Sequence, residues 1–138
     1  MRTIVLLLLA GATLAQRPSE SFQPAATMSQ LMLDMVYPAS NDILFFVSRG
    51  APKDEDEWAA VRRSALALAE SGNLLMMRGR ARDQDDWMKD AKMLVDVGTA
   101  AYKAAQAKDV NALAALTERL DMSCLACHKQ YRPNVFPR

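Results

Sequence analysis

Four stretches of this chain repeat apolar side chains at steps of three and four, the spacing of amphipathic helices. In the first they fall at Met28, Met32, Met35, Ala39, Ile43 and Phe46. Thr27-Met28-Ser29-Gln30 fits a capping box, with Thr27 as the N-cap and Gln30 three places on. The helix ends at "SRGAP", and Pro38 inside it removes a backbone donor and crowds the preceding turn, so a kink is expected there. The second stripe is Trp58, Val61, Ala65, Leu68, Gly72 and Leu75. The acids at 54–57 open it at the positive end of the helix dipole, and Arg78-Gly79 closes it. The third opens on Asp83-Gln84-Asp85-Asp86-Trp87 and carries Trp87, Ala91, Leu94, Gly98, Ala101 and Ala105. Asp109 caps the fourth, whose stripe of Leu113, Leu116, Leu120, Cys124, Cys127 and Tyr131 runs to about Arg132, where Pro133 stops it. No stretch has the alternation of a strand. Short connections make neighbouring helices antiparallel, so the pattern predicts an all-α, up-down-up-down antiparallel four-helix bundle over residues 27–134.

The start of the chain reads differently. Arg2 precedes an apolar run at 4–9 and small residues at 10–15, with cleavage motifs at Ala10-Gly11-Ala12 and Thr13-Leu14-Ala15. This is the layout of a secretory signal peptide over residues 1–15. The run is well short of the ~20 residues of a membrane span, and no other stretch is longer. Residues 16–26, polar and with two prolines, read as a flexible leader. Composition adds little: 51% apolar and 24% charged residues are those of one globular domain. Removing Arg2 with the signal takes 17 basic residues to 16, against 16 acidic ones, so nothing points to a nucleic-acid partner.

The chemistry is concentrated in "CLACHKQYRP", residues 124–133. The chain has two cysteines and one histidine, and all three fall in five consecutive positions. Random placement would give this order and spacing roughly once in ten thousand arrangements, so the cluster calls for a chemical reason. In an exported chain the pair is a redox dithiol or disulfide, or, because His follows at once, a haem attachment site. A structural zinc wants four ligands, and one His with two Cys is too few. In haem attachment, Cys124 and Cys127 form thioethers with the two vinyl groups of one haem, and His128 reaches the iron through a ring nitrogen. Both cysteines continue the inward stripe of the fourth helix, with His128 beside them.

A CxxCH near the C-terminus of an exported four-helix chain resembles the class II cytochromes c, the group of cytochrome c′ and cytochrome c-556. The resemblance covers residues 27–133, and its specific part is "CLACHKQYR", including the aromatic and arginine three and four places after His128. It implies one haem c per chain, a periplasmic location, redox partner proteins, no enzymatic activity, and in some members a homodimer formed through the first two helices. Only ten residues follow His128, so any distal ligand lies upstream. Cytochrome c-556-like members use a first-helix methionine there and are low-spin electron carriers. Cytochrome c′ members have a non-ligating residue, five-coordinate iron, and bind nitric oxide or carbon monoxide.

In the expected bundle His128 and Met32 fall at matching heights, about 6 and 7.5 Å from the same pole at 1.5 Å per residue. Met32 is therefore the expected distal ligand, with Met28 one turn nearer the end and Met35 one turn deeper as alternatives; core packing is the ordinary role of a helical methionine. Met76 and Met77 lie at the same pole, nearer the tip. Arg78, Arg80 and Arg82 form either a solvated loop or partners for the haem propionates, and Lys129 and Arg132 a possible docking rim. Gly72 and Gly98 allow either close helix approach or room for the macrocycle. Trp58 and Trp87 are expected in the core. The functional expectation is a monohaem electron carrier, with a gas-binding haem protein second and a CxxC thiol oxidoreductase third.

Overall fold

The computed structural model describes residues 23–134 of the chain. The expected signal peptide, residues 1–15, and the leader residues 16–22 lie outside the described residues. Among the described residues the chain is all-helical, with no strand. Helices α1 (Met28–Leu31) and α2 (Tyr37–Ser48) are joined by a π turn, Met32–Val36, into one continuous rod. Helices α3 (Glu55–Leu75) and α4 (Asp86–Gln106) are the second and third rods. The fourth is broken into α5 (Val110–Ala114) and α6 (Thr117–Tyr131).

The helix starts follow from side chains that take up orphan backbone donors. Thr27 and Gln30 close the expected capping box in both directions. The Asp54 carboxylate accepts from the Glu57 backbone N–H at 2.9 Å, and that of Asp109 from Ala112 at 2.9 Å. Before α4 the cap is Asp83 rather than the residue adjoining the helix: one of its oxygens accepts from both Asp85 and Trp87, each at 3.0 Å. Gly50 and Gly79 take positive φ, +104° and +89°, where the chain turns away from α2 and α3.

Two expected regularities give way. At Pro38 the rod widens instead of breaking. The Tyr37 N–H donates to the Met32 carbonyl, five residues back rather than four. In a regular turn the Pro38 ring would crowd the Asp34 carbonyl, and the wider turn takes up that crowding. The fourth rod is interrupted at Ala115 and Leu116, whose ψ angles are −13° and −9°. There the Leu116 N–H bonds three residues back to Leu113, and the Thr117 hydroxyl donates to the Ala114 carbonyl.

α3 and α4 make the tightest packing in the molecule, and α2 packs on α3 and α6 on α4. Two glycines account for the closeness of α3 and α4. A Cβ on Gly98 would lie 2.6 Å from the Ala69 backbone nitrogen, and one on Gly72 2.6 Å from a Val95 methyl. Helix approach, not space for a ligand, is what these glycines serve. Every stripe residue expected on the second and third helices is buried, Trp58 and Trp87 included. Val61, Leu68, Leu31 and Leu113 are almost fully enclosed, each worth about 1.5–3 kcal/mol in removal of apolar surface from water.

Candidate functional site

α6 presents Cys124, Cys127 and His128 along one side, because positions three and four apart share a helix face. Ser123, beside them, is buried and donates its hydroxyl to the Leu120 carbonyl at 2.7 Å, so it offers no donor to a ligand. The two cysteines are free thiols, both half-buried. They lie on the wall of a cavity partly open to solvent, with Met32, Val36, Leu75, Asp90, Leu94 and His128 among its other walls. A second cavity, also partly open to solvent, is lined by Met28, Met32, Arg82, Trp87, Cys127, His128, Tyr131 and Arg132. Three residues are common to both, Met32, Cys127 and His128. The π turn and α6 thus face each other across two adjoining, mostly apolar cavities, a slot walled by a thioether on one rod and by an imidazole and two thiols on another, with the Asp90 carboxylate and the Arg82 and Arg132 guanidinium groups also on its walls.

The expected methionines separate on this geometry. Met32 is half-buried on both cavities, Met28 lines only the second, and Met35 is 38% exposed and lines neither. Met76 is half-buried against the core, and neither it nor Met77 reaches the slot. The π turn explains Met35. With five residues in the turn, Leu31 and Val36 both face the core, Met32 stays half-buried beside Leu31, and Leu33, Asp34 and Met35 swing outward.

The electrostatics follow from burial. Loss of solvent pushes the Cys124 thiol up and, with the Asp90 carboxylate close by, takes Cys127 up to about 11. Burial and the Arg132 guanidinium hold His128 below the usual imidazole range. The neutral ring, the form that binds a metal, is therefore favoured at neutral pH. Asp90 is 8% exposed, and burial followed by the nearby Asp86 pushes its carboxyl up. Asp90 was not expected at the site, although its spacing was visible: it lies three places after Trp87 and four before Leu94.

The far end of α6 is tied down. The Tyr131 hydroxyl donates to Asp83, and its ring meets that of Trp87 edge-on at 4.9 Å. The Trp87 indole in turn donates to the Leu75 carbonyl at 2.8 Å. One carboxylate thus caps α4 and anchors α6, which fixes His128, one turn earlier, against the slot. Of the loop arginines, Arg80 is buried rather than solvated: its guanidinium donates to the Ala26 carbonyl at 3.0 Å and holds the leader against the loop. Arg82 and Arg132 are exposed and line the second cavity, and Lys129 is exposed.

No protein-family model matches the chain, and no curated protein or solved structure matches it. The site must be read from its own donors. Among the described residues no group of three or more His, Cys, Asp or Glu forms a cage for a bare metal ion. Two free thiols and an imidazole stand on one wall of the slot, and a thioether stands on another rod. Among the described residues no helix is long and apolar enough to cross a membrane.

Proposed function

We propose that the chain is an exported, periplasmic class II-type cytochrome c that carries single electrons through one haem c held covalently per chain, its four rods running up-down-up-down and antiparallel. The observation that carries this reading is the gathering of Cys124, Cys127, His128 and Met32 around one mostly apolar slot. Cys124 and Cys127 supply the sulfurs for two thioethers. His128 supplies the proximal nitrogen, and the pull of burial and Arg132 toward the neutral ring serves that role. Met32 supplies the distal sulfur from the first rod. Val36, Leu75 and Leu94 exclude water, and Arg82 and Arg132 on the second cavity suit carboxylates. When bound, the haem supplies a one-electron iron couple whose potential Met/His ligation raises relative to bis-His. Redox proteins are the partners this activity requires. A homodimer through the first two rods would use their exposed apolar residues, Leu33, Tyr37, Phe45 and Leu66.

The thiol oxidoreductase reading is weakened by the same burial. A reactive CxxC thiol is held well below the free-cysteine value, whereas Cys127 is pushed up to about 11.

The test is the mass and absorption spectrum of the mature protein from a host with haem-attachment machinery. A haem-sized covalent addition on both cysteines and a low-spin spectrum are expected. Met32→Ala is expected to give high-spin or water-ligated iron that binds carbon monoxide when reduced. An unmodified mass rejects the cytochrome reading. Five-coordinate iron in the parent protein replaces the carrier with the gas-binding alternative.

A further inference from the structure

The π turn has a consequence for which residue of the first rod meets His128. Ala39 and Ile43 are buried and hold the rod on its C-terminal side, while Leu31 is buried on the other. A residue added to a helical turn rotates everything before it by about 100° and moves it by about 1.5 Å relative to everything after. In a regular helix counted back from Val36, the slot now filled by Leu31 would belong to Met32, four residues away. The slot now filled by Met32 would belong to Leu33, which is instead 65% exposed. Leucine has no donor atom. A plain helix would therefore face His128 with a side chain that cannot ligate.

We infer that Pro38 is a positioning residue: by enforcing the π turn Met32–Val36 it holds Met32, and not Leu33, at the cavity shared with His128. The π turn ends at Val36, two residues before Pro38, and the Tyr37-to-Met32 bond closes it. Pro38 has no N–H to give the Asp34 carbonyl, so the four-residue bond that a regular helix needs at this point cannot form whatever the packing. Replacing Pro38 restores that donor. Asp34, within the turn, is exposed, so its loss removes no core contact. Deleting it shortens Met32-to-Val36 to three steps, which in a plain helix returns Met32 to its native slot.

The inference rests on the reading of Met32 as an axial ligand for its spectroscopic test, and a second measurement separates the two. Four haem-loaded full-length proteins are compared by absorption spectrum: the parent, Met32→Ala, Pro38→Ala, and Pro38→Ala with Asp34 deleted. Pro38→Ala is expected to lose the methionine-ligated low-spin spectrum as Met32→Ala does, and the deletion is expected to restore it. Alkylation of Leu33→Cys, read by peptide mass at position 33, is expected to be fast with Pro38 present and lost in the Pro38→Ala background. Retention of the parent spectrum and of fast alkylation in Pro38→Ala overturns the inference, because packing alone then holds the turn. Loss of the spectrum that the deletion fails to restore also overturns it, since the defect is then not one of register. If Met32→Ala itself keeps the parent spectrum, the ligand reading fails, and the alkylation at position 33 still decides whether Pro38 sets the register.

Discussion

Gly98→Ala is a substitution on which two effects of known size oppose each other. In an open helix it should stabilise, since alanine is favoured over glycine in a helix interior by about 1 kcal/mol. At Gly98 the new methyl would sit 2.6 Å from the Ala69 nitrogen, 2.9 Å from its Cα and 3.0 Å from its Cβ. Overpacking costs about 1–3 kcal/mol, and the upper end applies because two of the three atoms met are backbone, which no rotamer change can move aside. The net expectation is a loss of about 2 kcal/mol. With a urea dependence of about 2 kcal/mol per molar, the midpoint should fall by about 1 M. Circular dichroism in urea on the full chain reads this directly. Adding Ala69→Gly removes only the 3.0 Å contact and should recover less than half of the loss. A Gly98→Ala midpoint equal to the parent's or above it would falsify the close packing of α3 on α4. The site would register the same change, because Leu75, Asp90, Ala91 and Leu94 of its walls stand on these two helices.

Other expectations concern titration. With both thiols free, Cys127 should alkylate very slowly at pH 7 and speed up about tenfold per pH unit until near its value of about 11; a plateau near pH 8 would contradict the buried thiol. Asp90 binds its proton more tightly folded than unfolded, so its contribution to stability is unfavourable once pH rises above the ordinary carboxyl value of about 3.9. Asp90→Asn should therefore raise the urea midpoint at pH 7 and lose that advantage below pH 4; an equal gain at both would point to packing instead. Asp83 is held below the ordinary range, first by the Tyr131 hydroxyl and then by the Trp87 N–H, so its stabilisation is present above the ordinary carboxyl value and lost as pH falls through the lowered one. Tyr131→Phe should be less stable than the parent at pH 7, with the gap closing toward pH 2, as measured by thermal melts at the two pH values.

The second and third helices were legible because each has an unbroken 3.6-residue stripe with acids at one end, and nothing in the fold interrupts either pattern. The first rod was legible only in part. The stripe through Met28, Met32 and Met35 assumes a constant turn, and the π turn instead buries Leu31 and Val36, five apart, and exposes Met35. Pro38 marked the place, but read from the sequence a missing donor is compatible with either a kink or a widened turn. The CxxCH cluster was legible because its chemistry is local. Asp83 as the joint anchor of α4 and α6 was not, since its partner Tyr131 is 48 positions away. Arg80 looked like one of three loop arginines, and only its distant acceptor, the Ala26 carbonyl, distinguishes it.

The slot between Met32 and His128 also joins positions 96 residues apart in a described chain of 112. Closing a loop of that length costs on the order of 4 kcal/mol in chain entropy, from (3/2)RT ln n. The α3–α4 pair, joined by a short turn, forms far more cheaply. The seam between the first and last rods therefore closes after the more local pairs, α2 on α3, α3 on α4 and α6 on α4, and it should be the first to open. Partial opening along that seam while α3 and α4 stay paired is the excursion expected of this architecture. Amide exchange would run ahead in the rods that flank the seam, and Met32 and His128 would meet solvent well before the molecule as a whole unfolds.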